Sequence, residues 1–366
     1  LKALLGTESH TEFPTTFIHL GSEADEQLEV EARVTWYDAR AGHPTRSEYR
    51  LYYPSNAVTA EMHTGDLLVL ARTDDRLLWI VAAAGSSAES QVSWLFALEE
   101  VGTPLLSVKS IEPRPLDPWI AISAALESIG VHVPPPQPET SSLITDRIKL
   151  WAAEGLPATA ELSRFARESI VDFDQLARDD PDQALVDAME REEWLFREVE
   201  RSEVEGRIER GFSGVDDFLG YSLSVQNRRK ARAGLAFEHH IAAILEAGGV
   251  HFERGIRTEN DAKPDFVLPS GAAYHDPGFP VDRLGILGAK RTCKDRWRQV
   301  LTEAERVLEK HLLTVEPSIS RNQTDEMDAH SLTLVVPRSV ASSYGPDQRT
   351  WLSSVADFIQ LRRALQ

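Results

Sequence analysis

Cysteine is almost missing from this chain. Cys293 stands alone among 366 residues, so no internal disulfide can form and a reducing compartment, the cytoplasm, is expected. Apolar runs are short: none approaches a membrane span and no signal peptide opens the chain, so no membrane partner is expected. The start at Leu1 rather than Met fits a chain trimmed by a few residues. Ligand-spaced Cys/His clusters are also missing. His239, His240 and His275 have no companions, which argues against zinc, and Cys293 lacks a base partner for nucleophilic work, so a small buried spacer is its expected role. No glycine-rich phosphate loop is visible. Gly285 and Gly288 are too few and wrongly placed, so no nucleotide cofactor is expected. No internal repeat occurs.

Positive charge is in deficit. The chain carries 39 Lys and Arg against 58 Asp and Glu, a net −19 that at first argues against a DNA partner. The distribution changes that reading. Residues 151–220 hold 8 Arg against 19 acids, whereas residues 228–298 hold 13 Lys and Arg against 9 acids. The acid lies away from the basic stretch and reads as a solvated outer face.

The length suits two or three domains, and 42% hydrophobic residues support real cores. Residues 1–112 read as β-rich. Phe17–Leu20, Leu28–Tyr37, Glu48–Tyr53, Asp66–Arg72 and Leu77–Val81 alternate or run apolar, and polar turns separate them, which predicts a small barrel. Trp36, Arg40, Arg46, Glu48 and Arg50 are its candidates for DNA contact, with a cross-strand surface pair as the alternative for Glu48 and Arg50. Residues 113–142 are proline-rich, including Pro134–Pro136, and read as a semi-rigid linker around one helix over Asp117–Ile129. Residues 143–366 begin with helices and then alternate strands with helices, which predicts a mixed sheet flanked by helices, an α/β domain. Val250–Ile256, Lys263–Leu268, Leu312–Val315 and Ser331–Pro337 are the expected strands beside the apolar run from Leu284 to Ala289.

That run is the centre of the chemistry. Leu284, Ile286, Leu287 and Ala289 form a short buried strand ending at Lys290. Thr292 can cap a following helix, whose buried face is predicted from Trp297, Val300, Leu301, Ala304, Val307 and Leu308. Lys294, Asp295, Arg296 and Arg298 crowd its first turns. Cations do not belong at a helix N-terminus, so their presence suggests an outside anion, with nucleic acid the obvious one. Pro264-Asp265 opens a second strand, and Glu303 is expected on the helix, facing the strand ends. Two carboxylates can hold a hard divalent cation, and a lysine beside them can stabilise a pentavalent phosphate.

This set of groups resembles the PD…(D/E)xK nuclease superfamily, with one departure. The acid normally two residues before the lysine is replaced by Gly288, and Glu303 on the following helix is the candidate replacement. Longer strings make the resemblance closer. Ala273-Tyr274-His275-Asp276-Pro277-Gly278-Phe279-Pro280, the run from Ala289 to Gln299, and the run from Ser224 to Gly234 with Glu238 after it are similar to the catalytic half of EcoRII-type restriction endonucleases from about Ile144 onward. The resemblance implies a homodimeric, magnesium-dependent enzyme that cuts both strands of DNA at a short palindrome related to CC(A/T)GG, with an N-terminal pseudobarrel that binds DNA. It implies Mg²⁺ on Asp265 and Glu303, Glu238 in support, and Lys290 acting on the phosphate, with Tyr274 a further candidate near it; the alternatives are a salt bridge from Glu238 to His239 or an arginine, and a Tyr274 that simply packs its loop. Lys294, Asp295, Arg296 and Arg298 are then expected to read C·G pairs, and Arg228, Arg229 and Arg232 to contact backbone phosphates. Related nucleases hold flipped bases on a ring beside an arginine, a role open to Arg191 and Trp194. The alternative there is a core tryptophan with an exposed arginine. The rival functions are a structure-specific repair nuclease of the same superfamily and a non-catalytic DNA-binding regulator.

Overall fold

The computed structural model describes residues 1–21, 27–98, 118–127, 133–293 and 297–366. They divide into two compact units, Leu1–Pro115 with Ser318–Thr324, and Leu116–Pro317 with Asp325–Gln366.

In the first unit α1 (Lys2–Leu5) precedes the paired strands β1 (His10–Leu20) and β2 (Leu28–Asp38). Then come β3 (Tyr49–Tyr52), α2 (Ala57–Ala60), β4 (Leu67–Arg72), β5 (Leu77–Ala82) and α3 (Ser87–Leu95). The strand order is β3-β2-β1-β5-β4, and only the β1–β5 pairing is parallel. The five strands expected from alternation are these five. Their inward residues Phe17, Val34, Trp36, Leu77, Trp79 and Val81 make one core, as a period of two requires when one face is buried. Among the described residues β3 and β4 remain edges, so the sheet is an open half-barrel, the form of a pseudobarrel.

The second unit starts with helices α4 (Trp119–Glu127), α5 (Ser142–Glu154), α6 (Thr159–Glu168) and α7 (Phe173–Asp179). Two long helices follow, α8 (Pro181–Arg210) and α9 (Val215–Ala247). Asp180 caps α8, accepting from Gln183 N at 3.1 Å, and Pro181 takes the first helical position, where no amide is needed. A buried pair ties α8 to α9: His240 Nε2 lies 2.8 Å from Glu192 Oε2. Arg167 of α6 reaches the other ring nitrogen at 3.2 Å. Next come β6 (Phe266–Leu268), α10 (Gly271–His275), β7 (Gly285–Ala289), α11 (Trp297–Leu301), β8 (Lys310–Leu313), α12 (Arg321–Ala329), β9 (Leu332–Val335), α13 (Arg338–Ala341) and α14 (Val355–Leu365).

The sheet order is β6-β7-β8-β9, antiparallel at β6–β7 and parallel elsewhere, so it is mixed and helix-flanked. Phe266, Leu268, Leu287 and Ala289 pack with Phe237 and Ile241 of α9 and Phe358 of α14. The opposite face of β7 meets α11, where Gly288 lies against Val300. By alternation Asp265 and Val267 share that second face, as do Ile286, Gly288 and Lys290.

Two sequence expectations need correction here. Val250–Ile256 is not a strand: it contributes a single bridge, Glu253 to Val267. The helix predicted as far as Leu308 ends at Leu301. Thr302 and Glu303 turn tightly, their amides donating to Gln299 O and Val300 O, and Ala304 adopts φ 50°, which ends helical geometry. Val307 is buried by this bend, and Leu308 faces solvent.

Candidate active site

Asp265 precedes β6 and Lys290 follows β7, so the antiparallel pairing brings them to one end of the sheet. Lys290 Nζ donates to Asp265 Oδ2 at 2.8 Å, and the Ala289 amide donates to the same oxygen at 2.7 Å. Oδ1 accepts no hydrogen bond among the described residues.

Glu303 stands two residues beyond α11, not on it, and is almost fully buried. Burial, then the charge of Asp265, pushes its carboxyl above the ordinary carboxylate value, while Lys290 and Lys310 oppose the rise. Its carboxylate makes no hydrogen bond among the described residues. Glu238, midway along α9, is shifted the same way by burial and then by Asp265, with Arg254 and Lys290 opposing. Arg254 holds it in an ion pair. Two carboxyl groups from separate parts of the chain, Glu238 and Glu303, therefore each feel Asp265 and Lys290.

The missing acid has a physical explanation. Extending the β6–β7 register sets Gly288 opposite Asp265. A Cβ at Gly288 would lie 2.9 Å from Val300 and 3.3 Å from Leu312, so α11 leaves no room for a side chain there. A second acid for this centre would have to come from elsewhere, and Glu303, on the bend after α11, is the candidate.

The donors suit a hard cation: carboxylate oxygens, one buried without a hydrogen-bond partner, one with an unused oxygen, and no thiolate among them. Among the described residues no group of three or more His, Cys, Asp or Glu side chains is placed to hold a metal ion. Asp265 and Glu303, with Glu238 behind them, are the residues that would hold one.

Comparison with known proteins addresses this same region. Residues 196–359 match the family model described as EcoRII C terminal. The type II restriction enzyme EcoRII of Escherichia coli is 42% identical over 181 residues, which cover 49% of this chain and 45% of that enzyme. Residues 196–359 are thus similar to the EcoRII C-terminal family. The chain thus spans about half the length of the curated relative it matches. Among solved structures, a complex of the restriction endonuclease PspGI with substrate DNA has 18% identity and a TM-score of 0.48, covering 58% of this chain and 96% of that one. Metal-depleted Ecl18kI with uncleaved, modified DNA has 17% identity and a TM-score of 0.46, covering 61% and 83%.

The EcoRII C-terminal region contains most of the other expected site residues, and they do not all gather at the centre. Tyr274 is buried, its hydroxyl donates to Glu259, and burial and that carboxylate raise its phenol. Its hydroxyl is therefore committed away from Asp265. Lys294, Asp295 and Arg296 lie outside the described residues. Arg298 is exposed and pairs with Glu326 at 3.0 Å. Three arginines of the basic cluster on α9 have partners within the chain, two of them acids. Arg228 pairs with Glu203 at 2.9 Å and Arg229 with Glu200 at 2.6 Å. Arg232 donates to Pro157 O at 2.8 Å and stacks 4.8 Å over Phe196. The long acidic stretch thus supplies partners as well as solvated surface.

Upstream of the EcoRII C-terminal match, Trp194 is buried among Ile144, Trp151, Leu162 and Leu195, so it is a core residue and not an open stacking platform for Arg191. Helical spacing put both on α8, but α5 and α6 cover the ring. Ring-and-guanidinium pairs in this region are instead Phe196 with Arg232, and Trp151 and Phe165 with Arg147. In the first unit Trp36 is also core: it stacks on Tyr49 at 5.2 Å and donates to Gly6 O at 3.0 Å. Glu48 pairs with both Arg40, at 2.7 Å, and Arg50, at 2.6 Å. Arg46 is exposed and makes no ion pair among the described residues. Arg254 and Lys310 were missed by the sequence reading. Neither sits in a motif, and only the tertiary structure brings them to Glu238 and Glu303.

Proposed function

We propose that this chain is a type II restriction endonuclease that hydrolyses both strands of DNA at a short palindrome related to CC(A/T)GG. The observation that supports it most is the pairing of Asp265 with Lys290 at one sheet end, with Glu303 and Glu238 each near enough to feel both charges, within the residues that match the EcoRII C-terminal family model. A magnesium ion bound there would supply Lewis-acid polarisation of the phosphate and a nucleophilic water at neutral pH. Asp265 and Glu303 would bind it, with Glu238 aligned behind them by Arg254. Lys290, already oriented by Asp265, faces the position of the scissile phosphate and offsets charge that builds on its oxygens. Water attacks in line, leaving a 5′-phosphate and a 3′-hydroxyl. Lys294, Asp295 and Arg296 precede α11 in sequence and are assigned to base reading, cations to guanine and carboxylate to cytosine. The first unit is assigned a regulatory DNA-binding role, with Arg46 its most available cation.

A palindromic site calls for a two-fold pair of subunits. The exposed apolar residues Val215, Phe218, Leu219 and Leu223, spaced along one side of α9, support a homodimer contact at that end of the helix. Among the described residues no helix is long and apolar enough to cross a membrane, and the lone cysteine is buried. Action on DNA in the cytoplasm is part of this proposal.

Incubation with plasmid DNA and Mg²⁺ tests the reading. A defined set of fragments supports restriction, whereas cutting of branched DNA supports a structure-specific nuclease. Binding without cutting, in the full chain and in a piece starting near Ser142, points to a regulator.

A further inference from the structure

Lys310 opens β8, a strand whose four residues are all buried. A buried ammonium persists only where its donors and its charge find partners. Here the Nζ donates to two main-chain carbonyls, those of Leu301 and Glu303. Leu301 ends α11, where the helix leaves carbonyls without intrahelical partners. Glu303 is the acid that the proposed chemistry requires.

Between those two carbonyls the chain makes the tight turns of Thr302 and Glu303, and then Ala304 takes φ 50°, a region residues with a β-carbon seldom occupy. Such a backbone holds only when its surroundings fix it. On the far side of the bend the Ala304 amide donates to Thr258 Oγ1 at 3.3 Å and the Glu305 amide to Glu259 Oε2 at 3.2 Å. The bend is therefore gripped from two sides, and Lys310 supplies both hydrogen bonds of one grip. The Glu303 side chain has no such support of its own.

We infer that Lys310 is a positioning residue, which fixes the bend after α11 so that the Glu303 carboxylate faces Asp265, and thereby sets the site's affinity for a divalent cation. It acts through the Glu303 backbone and touches neither phosphate nor cation. The inference rests on the metal role proposed for Asp265 and Glu303.

Manganese(II), which suits carboxylate ligands, is titrated calorimetrically into the intact chain. Lys310→Met is expected to weaken its binding about tenfold or more, the loss typical when a residue supporting a metal ligand is removed. Lys310→Arg, which keeps a cation able to donate to both carbonyls, is expected to recover much of it. Where Lys310→Met does not fold, Lys310→Gln is measured in its place, with the same loss expected. A lower melting temperature with unchanged manganese affinity in the folded variant overturns the inference, since a purely structural lysine would behave so. Asp265→Asn separates the two levels. If it abolishes manganese binding while Lys310→Met leaves it intact, only the role of Lys310 falls. If Asp265→Asn itself leaves binding intact, the metal site and the inference fall together.

Discussion

Lys290 and Asp265 form an ion pair at 2.8 Å across the ends of two antiparallel strands, with the Ala289 amide on the same carboxylate oxygen. One oxygen is thus saturated and the lysine is aimed before any phosphate arrives. Ordering of this kind lets an electrostatic group act without reorganising during the reaction. Lys290→Ala is expected to lower single-turnover cleavage by at least about 10²-fold, the scale of losing one such group. DNA affinity in mobility-shift assays should change little.

Glu303 illustrates a site held against stability. Its folded-state carboxyl is raised, so the folded protein keeps this proton to higher pH than the unfolded chain does. The stability this group contributes is present below the unfolded value of about 4.3 and declines as pH rises past it. Glu303→Gln should therefore melt above wild type at pH 8 in a chelator, and the gap should close near pH 4. Saturating metal should reverse the order at pH 8, because only the wild type binds it well.

Restoring the usual acid at Gly288 should fail. Gly288→Asp forces a side chain against Val300 and Leu312 and is expected to cost at least about 1–3 kcal/mol from overpacking alone. It should not rescue cleavage in Glu303→Gln. Denaturant melts and cleavage assays of the double variant check both points.

His311, in β8, lies against Phe358 at 5.0 Å, and burial, aided by Arg362, pushes its imidazole down to about 4. The unfolded chain binds this proton first, so stability falls as pH drops from about 6.5 toward 4. The loss from this one group is on the order of 3 kcal/mol over that span. In His311→Leu the acid sensitivity should shrink by that amount. Denaturant unfolding of both proteins at pH 7.5 and 4.5 measures the difference.

The first unit offers a contrast between packing and binding. Trp36→Ala should destabilise it by about 3–5 kcal/mol, since a buried ring is lost. Arg46→Ala should leave melting unchanged and weaken DNA binding with a smaller salt slope.

Alternation and apolar runs were enough to locate β2, β3, β4 and β5 closely, whereas β1 starts at His10, well before the expected Phe17. A short apolar run located β7, and the resemblance to a nuclease superfamily grouped Asp265 with Lys290; their ion pair was not foreseen. Helical periodicity misled at Glu303. Val307 repeats the spacing of Trp297, Val300 and Ala304 and is buried, but by a bend, and spacing alone cannot tell a helix from a turn that buries the same residues. Basic clusters misled in a related way: Arg228 and Arg229 looked free because their acids, Glu203 and Glu200, lie on another helix.

The sequence by itself determined the identities of the acids and the lysine, their order, and the strands that carry two of them, because these follow from local pattern. Only the tertiary structure decided which face α11 covers, why Gly288 must be bare, and which side chains hold Glu303 and Glu238 in place. Those are matters of close packing and buried charge, set by atoms far apart in the chain.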